Sequence, residues 1–304
     1  MIIAVVGPTA SGKTSVSLEL AELLGGPQKV EIISADAMQL YRGLDIGTAK
    51  LPVSQRRGIR HHQIDELDIA EEASVAAYQK HARQDLAAIT KAGKIPLVVG
   101  GSGLYVSALL DELQFPGTDP GLRAAITEEA RRDYPRLLRE LEEHDPQAYA
   151  TIDTRNERRV IRALEVIRLT GKPYTPRFPR HTSHYQDVNI FAIHRELADL
   201  HAAINERVDE MMREGLLEET AGLLPRGLRE APTASRATGY PQAMAILEGT
   251  LSLAEGTEEI RIATRKLARR QRSWFRADPR ITWLDAGADT PAQLAARILT
   301  KLAR

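Results

Sequence analysis

The sequence predicts an α/β fold in which a parallel β-sheet carries helices on both faces and a mainly helical segment is inserted. Short apolar runs that are typical of buried strands alternate with segments of helical spacing, which favours a parallel sheet. The first such run, residues 2–6, leads directly into a glycine-rich turn and then a helix. Residues 116–185 are strongly charged and mostly helical in pattern, without a convincing strand.

The predicted strands are short runs, and the first of them consists of aliphatic, mainly β-branched residues, as expected for a strand buried on both faces. These runs lie at residues 2–6, 30–34, 95–99, 188–193 and 281–284. Helical spacing begins at Lys13 and closes at Gly25-Gly26, and a second helix is predicted over residues 73–92. The chain therefore divides into a core domain of residues 1–115 and 186–304 and a helical insertion of residues 116–185.

Composition excludes several classes of protein. Lysine plus arginine and aspartate plus glutamate are equal at 41 each, so the net charge indicates no particular partner. Cysteine is absent, which excludes disulfides and thiolate metal sites. No apolar stretch approaches the length of a transmembrane helix, and residues 2–6 are too short for a signal peptide. We expect a cytoplasmic protein without membrane contact.

A phosphate-binding loop follows the first strand. The motif G-x-x-x-x-G-K-[ST] is matched by Gly7, Pro8, Thr9, Ala10, Ser11, Gly12, Lys13 and Thr14. Its glycines let backbone N–H groups turn towards phosphate oxygens, and the start of the next helix adds a favourable dipole. Lys13 would contact the terminal phosphate, and Thr14 would ligate Mg²⁺. The core is thus expected to be P-loop NTPase-like, while ATP, GTP and an allylic diphosphate all remain possible ligands.

A carboxylate, Asp36, follows the second predicted strand. Ligands of open parallel sheets bind at the carboxyl ends of the strands, so Asp36 should face the P-loop mouth. Alternatively, Asp36 caps the next segment or ligates Mg²⁺ in a kinase-like enzyme. Residues 40–50 are polar and contain glycines, which predicts a surface segment near the site. Ser102 follows the third strand and either reaches a ligand or forms a plain turn.

Positive charge is concentrated locally in two places. Residues 261–276 contain seven basic residues and no acidic one, with Trp274 and Phe275 interleaved. Such runs usually form a solvated helix face, but these residues lie on more than one face, which favours a phosphate-binding strip. A second cluster, tempered by two acidic neighbours, lies in the insertion and comprises Arg155, Arg158, Arg159 and Arg162.

Blocks of sequence follow one another along nearly the whole chain in a recognisable order. They are GPTASGKT from Gly7, SADAMQLYRGLDIGTAK from Ser34, VGGSGLY from Val99, NERRVIRALEV from Asn156, GLLEE from Gly215, ATGYPQAMAILEG from Ala237 and ATRKLARRQRSWFR from Ala263. In these blocks the chain resembles the tRNA dimethylallyltransferases (tRNA isopentenyltransferases). Many enzymes share the P-loop, whereas DIGTAK and TR-x-x-A-x-RQ-x-x-WFR are highly specific. The chain departs from the family in three places: Ala37 replaces the usual Ser, Ser102 replaces the usual Thr, and Leu51 intervenes before Pro52.

The resemblance implies transfer of a dimethylallyl group from dimethylallyl diphosphate to N6 of the tRNA adenosine at position 37, beside the anticodon. Asp36 would orient the weakly nucleophilic amine and accept its proton. Lys13, the loop amides and a Mg²⁺ on Thr14 would stabilise the departing diphosphate. Thr9 would contact the isoprenoid, and Arg207 matches a family arginine associated with the diphosphate. The implied partner is the anticodon stem-loop, no ATP hydrolysis is required, and we expect a monomer.

The resemblance also implies which residues contact tRNA. An extruded adenine would meet the segment beginning at Asp36, and arginines of the insertion and of the C-terminal block would hold phosphates. The implied contacts are Asp36, Ala37, Met38, Gln39, Ser102, Arg123, Arg158, Arg159, Val160, Ile161, Arg162, Arg236, Gly239, Tyr240, Arg269, Arg270, Gln271, Arg272, Trp274 and Arg276. The absence of a hydroxyl at Ala37 puts the contribution of that position in doubt.

Three other functions fit parts of the sequence. A small-molecule kinase or ATPase on the same P-loop would bind and hydrolyse ATP or transfer its phosphoryl group without RNA. An enzyme that prenylates free adenine nucleotides would not need the basic strip of residues 261–276. A non-catalytic RNA-binding protein would not need an intact Lys13, Thr14 and Asp36.

Overall fold

A parallel β-sheet of six strands forms the centre of the part of the chain that the structure, a computed structural model, describes, residues 1–174 and 181–303. The strands are β1 (Ile2–Val6), β2 (Val30–Ser34), β3 (His61–His62), β4 (Ile95–Gly100), β5 (Val188–His194) and β6 (Thr282–Asp285). They lie side by side in the order β3-β2-β4-β1-β5-β6, and all neighbours are parallel. The predicted α/β fold is confirmed.

Strand β1 lies at the centre of this sheet. All five of its residues are buried, which explains the unbroken aliphatic run in the sequence. Ala4 pairs with Val98 of β4 on one side and with Ile190 of β5 on the other. The segment that follows β1 therefore begins at the middle of the carboxyl edge, flanked by the ends of β4 and β5.

Helices follow and connect the strands along the chain. They are α1 (Lys13–Leu23), α2 (Val75–Lys91), α3 (Gly103–Leu110), α4 (Pro120–His144), α5 (Pro146–Thr151), α6 (Glu157–Thr170), α7 (Leu197–Glu214), α8 (Leu216–Leu223), α9 (Tyr240–Leu247), α10 (Leu253–Arg276) and α11 (Pro291–Leu302). One hydrophobic core joins α1 and α11 to the sheet through residues such as Leu20 and Ile298. A second core joins helices α7 to α10 to the segment around Tyr41 and Leu44.

The chain forms two compact units, Met1–Asp111 with His181–Arg304, and Glu112–Arg180. The second unit contains α4 to α6, which pack on one another through residues such as Ile126, Leu137 and Leu164. The insertion predicted over residues 116–185 shifts accordingly. Residues 181–185 belong to the core unit, because the His184 N–H donates to the Leu110 carbonyl at 2.7 Å.

None of the helices in the described residues is long and apolar enough to cross a lipid bilayer.

Candidate active site

The P-loop joins β1 to α1 in a backbone conformation that turns inward. Gly7, Ala10 and Gly12 have φ values of 149°, 61° and 89°. A Cβ on Gly7 would lie 3.0 Å from the Ser11 hydroxyl oxygen, so the turn leaves no room for a side chain there. Gly12 precedes α1 without any side-chain cap, which leaves the N-terminal amides of that helix available to a ligand.

A cleft of about 860 Å³, partly open to solvent, opens at the P-loop within the core unit. Its polar lining comes from several segments far apart in sequence: Thr9, Lys13, Thr14, Asp36, Gln39, Thr48, Arg207, Thr238, Thr264 and Gln271. Met211, Ile260 and Leu267 contribute an apolar wall. The structure thus brings together the P-loop lysine, Asp36 and Arg207, which the sequence singled out separately.

Lys13 lies in this cleft without a carboxylate partner. Its ammonium donates to the Pro8 carbonyl at 3.3 Å and forms no ion pair within the described residues. Burial, together with the nearby charge of Arg207, lowers the pKa of Lys13 to about 8, and the charge of Asp36 opposes the change. The site is therefore ready for an anion, because a bound anion would restore the charged form of the lysine.

Arg207, on α7, is the second cation of the cleft. Burial lowers the pKa of Arg207, while the charge of Asp36 opposes that shift. Its Nη2 donates to the Thr48 carbonyl at 3.5 Å, the long limit for a hydrogen bond, and its buried Nε has no partner among the described residues. A buried guanidinium left unsatisfied costs free energy, so this arrangement favours an anionic ligand.

Asp36 follows β2 and is half-buried at the cleft. Its Oδ1 accepts from the Met38 N–H at 3.0 Å, and the neighbouring Ala37 N–H donates to the Ser102 hydroxyl at 3.2 Å. Oδ2 makes no hydrogen bond to any residue in the described part of the chain. One oxygen of Asp36 therefore stabilises the turn, and the carboxylate also borders the cleft that Lys13 lines.

The segment of residues 40–50 lies at the site, as its composition predicts, but only part of it is exposed. Tyr41 and Leu44 are fully buried, and Lys50 is 8% exposed. The backbone N–H groups of residues 45, 46 and 47 all donate to the Glu219 carboxylate. Tyr240 donates to the same carboxylate at 2.6 Å. These bonds hold residues 47–49 against the cleft, which they line.

Gln271 links the P-loop to α10. Its Oε1 accepts from the Thr9 N–H at 2.8 Å, and its side chain is 8% exposed. A Cβ on Gly101 would lie 2.6 Å from the Gln271 amide nitrogen, which explains the glycine there. Gln271 therefore faces the P-loop and the cleft rather than the solvent side of α10.

The residues predicted to contact tRNA fall into three groups. Exposed members whose side chains make no hydrogen bond or ion pair to the described residues are Arg158, Arg159, Arg236, Arg269, Arg270 and Arg276. The side chains of Val160, Ile161 and Tyr240 lie in hydrophobic cores, and Gly239 is also buried. Gln271 is buried as well. The protein covers these five positions, and their contact with tRNA stays a prediction. The half-buried members are Asp36, Ala37, Met38, Gln39, Ser102, Arg123, Arg162, Arg272 and Trp274.

Some of the predicted arginines have partners within the protein. In the helical unit, Arg123 and Arg162 both bond to the fully buried Glu165, at 3.0 and 2.8 Å. In α10, Arg261 pairs with Asp209 and Glu258, and Arg265 pairs with Glu258. The basic strip of residues 261–276 is therefore narrower than its sequence indicates, and its unpaired arginines lie towards the C-terminal end of the helix.

Two residues have roles at the site that the local sequence does not predict. Glu219 fixes the segment of residues 40–50, and its only signal is its place in the GLLEE block. Gln271 is predicted only as a tRNA contact, because nothing in the local sequence indicates a bond to a loop 262 positions away.

Comparison with known proteins gives a consistent result. Residues 39–278 match the family model described as IPP transferase. A tRNA dimethylallyltransferase of Mycobacterium sp. (strain KMS) is 48% identical over 287 residues, 94% of each chain. The tRNA dimethylallyltransferase of Streptomyces coelicolor is 47% identical over 304 residues, 100% of this chain and 96% of its own.

Solved structures agree. A tRNA isopentenylpyrophosphate transferase from Staphylococcus epidermidis has a TM-score of 0.73 and 32% identity, covering 99% of this chain and 98% of its own. A eukaryotic dimethylallyltransferase described as acting on tRNA has a TM-score of 0.80 and 25% identity, covering 98% of this chain and 77% of its own.

Proposed function

The chain belongs to the IPP transferase family, and we propose that it transfers a dimethylallyl group from dimethylallyl diphosphate to N6 of the adenosine at position 37 of tRNA. Similar proteins that cover nearly the whole chain are named tRNA dimethylallyltransferases. One similar solved structure is that of a dimethylallyltransferase described as acting on tRNA. One observation carries the proposal: a single cleft holds two cations without carboxylate partners among the described residues, Lys13 and Arg207, together with the carboxylate Asp36.

The reaction places different demands on the two sides of this cleft. The C1–O bond of the allylic substrate breaks, and its electron pair leaves with the diphosphate. N6 of adenine forms the new bond to C1 and loses one proton, which Asp36 accepts. Lys13, Arg207 and the P-loop amides stabilise the negative charge that grows on the leaving oxygen. The apolar wall of Met211, Ile260 and Leu267 suits the five-carbon chain.

A Mg²⁺ ion on Thr14 fits this arrangement. No cluster of three or more His, Asp or Glu residues in the described part of the chain is arranged to hold a metal. Mg²⁺ in a phosphate site keeps several waters and takes other ligands from phosphates, so one protein hydroxyl is a sufficient protein ligand. Thr14 is exposed at the cleft, where its hydroxyl can serve as the protein ligand. When bound, the ion would neutralise diphosphate charge.

Exposed arginines supply a surface for the anticodon stem-loop. Arg269, Arg270 and Arg276 near the end of α10 have no carboxylate partner among the described residues, and neither has Arg236. Arg158 of the helical unit is exposed in the same way. We propose that these arginines hold tRNA phosphates and that the helical unit takes part in tRNA binding. We propose that the protein acts as a monomer.

The decisive experiment incubates the purified protein with unmodified tRNA, Mg²⁺ and dimethylallyl diphosphate, followed by mass spectrometry of the nucleosides. The expected result is adenosine carrying an added C5H8 group at the position next to the anticodon. Parallel reactions replace tRNA with AMP, or the allylic substrate with ATP. Prenylated AMP at a comparable rate, or ATP turnover without RNA, would contradict the proposed acceptor or the proposed donor.

A further inference from the structure

Arg195 follows β5 directly and lies at the same sheet edge as the P-loop. Strand β5 pairs with β1 in parallel register up to Val6 and Ala192, and β5 then continues for two residues to His194. The first residue of the P-loop lies against the end of β5, since a Cβ on Gly7 would lie 3.2 Å from the Ile193 carbonyl oxygen. Arg195 is therefore placed beside the phosphate-binding turn by the topology of the sheet.

The side chain of Arg195 reaches the second glycine of the P-loop. Its Nη2 lies 3.5 Å from the position that a Cβ would occupy on Gly12. The residue is half-buried, its Nε is fully buried without a partner, and no hydrogen bond or ion pair joins it to any described residue. A guanidinium with five donors rarely remains without an acceptor in such a position.

Arg195 also differs from the cations inside the cleft. Lys13 and Arg207 line the cleft, whereas Arg195 approaches the loop from the β5 side. The guanidinium of an arginine stays charged and can bind phosphate oxygens through two parallel bonds.

We infer that Arg195 is a further diphosphate-binding residue, which contacts the phosphate oxygens from the β5 side of the P-loop. This inference rests on the proposed function, because it concerns the same diphosphate. A diphosphate held between Arg195 on one side and Lys13 and Arg207 on the other has cations on both flanks. The negative charge of the leaving group is thereby shared among three cations.

The test measures binding of inorganic diphosphate with Mg²⁺ by calorimetry, for the whole protein and for Arg195→Gln, Arg195→Lys and Arg297→Gln. Arg297 is a half-exposed arginine of α11 with a single carboxylate partner among the described residues, and it serves as the matched control. We expect Arg195→Gln to weaken binding about 10-fold to 100-fold, the usual effect of losing hydrogen bonds to a charged group. Arg297→Gln should bind as the unmodified protein does, and tRNA affinity should change in neither variant.

Arg195→Lys separates binding from folding, because it keeps the charge but not the planar fork. It should bind diphosphate more tightly than Arg195→Gln and less tightly than the unmodified protein. Equal affinity of Arg195→Gln and the unmodified protein would overturn the inference and leave the proposed function standing. A lysine variant no better than the glutamine variant would also overturn it. If the unmodified protein binds no diphosphate, the proposed function fails as well.

Discussion

Two lysines near the cleft, Lys13 of the P-loop and Lys50 of the segment 40–50, are surrounded very differently. Lys50 is buried, and its ammonium bonds to the Tyr41 carbonyl at 2.8 Å and to the carboxylates of Asp45 and Asp65 at 2.5 and 2.6 Å. Lys13 has one carbonyl at 3.3 Å and no carboxylate among the described residues. The first lysine completes a folded segment, whereas the second leaves its charge for a ligand.

The carboxylates show the same difference. Glu219 accepts from three backbone N–H groups and from the Tyr240 hydroxyl, so its bonding capacity is largely used by the protein. Asp36 accepts one N–H through Oδ1. A satisfied charge stabilises structure, and an unsatisfied charge at a cleft is a candidate for chemistry. Substitution of a satisfied charge should therefore change the stability of the fold, whereas substitution of an unsatisfied charge at the cleft should change activity.

The largest effect is expected for Asp36→Asn. The amide oxygen of asparagine can still accept the Met38 N–H, so the turn should persist, while the group can no longer accept a proton. We expect kcat to fall about 10²-fold to 10⁴-fold, the usual contribution of a general base. The KM for dimethylallyl diphosphate should change little, and the melting temperature should stay the same. Steady-state kinetics and thermal unfolding check both points, and an unchanged kcat would remove Asp36 from the mechanism.

Glu219→Gln should lower the melting temperature rather than kcat. The amide nitrogen of the new glutamine would lie opposite N–H donors that bond to a carboxylate in the unmodified protein. About 2–3 kcal/mol of stability should therefore be lost. Thermal unfolding should shift down by roughly 5–10 °C on the scale of larger domains. The neighbouring, exposed Glu218→Gln is the control and should melt like the unmodified protein. A Glu219→Gln variant that melts normally but has a lower kcat would show that Glu219 acts in the reaction rather than in stabilising the fold.

The difference between local signals and partners that are distant in sequence explains what can be predicted from the sequence. Strand β1, the P-loop and Asp36 are predictable because each signal is local: an aliphatic run, a fixed motif, and an acid just past a strand. The burial of Lys50 cannot be found in this way. Its polar segment looks exposed until Glu219, more than 170 positions later, accepts its backbone N–H groups.

The basic strip of residues 261–276 shows the same limit of sequence-based prediction for the residues expected to bind tRNA. Composition shows seven cations, yet Arg261 and Arg265 are neutralised by acids of α7 and of the start of α10. Helical periodicity cannot reveal a partner on another helix such as Asp209. Arg269 and Arg270 remain exposed without partners in the described residues, so the sequence is informative for them.

Reversing the charge of both unpaired arginines, Arg269→Glu with Arg270→Glu, should weaken tRNA binding about tenfold at low salt. The slope of log affinity against log salt should fall by about one unit for each phosphate that the protein no longer neutralises. Arg261→Gln on the same helix is the control, since its guanidinium is already paired, and its slope should match the unmodified protein. Filter binding at several salt concentrations measures both slopes. A double variant with an unchanged slope would contradict the assignment of these arginines to phosphates.

The smallest effect concerns the charge of Lys13. Burial lowers the pKa of Lys13 to about 8, so the free protein loses the ammonium charge as the pH rises through that value. A bound diphosphate favours the charged lysine, so its affinity should be highest below pH 8 and fall above it. The decline should be at most about tenfold per pH unit. Profiles of kcat/KM for dimethylallyl diphosphate report groups of the free protein and should bend near pH 8.

Two variants separate Lys13 from other groups that titrate in the same range. Arg207→Lys leaves Lys13 in place but changes its neighbour, and Lys13→Arg removes the titration altogether. Comparing Lys13→Arg with the unmodified protein cancels ionisation of the substrate itself. A bend that persists in Lys13→Arg would show that another group titrates there and would contradict the assignment of the bend to Lys13.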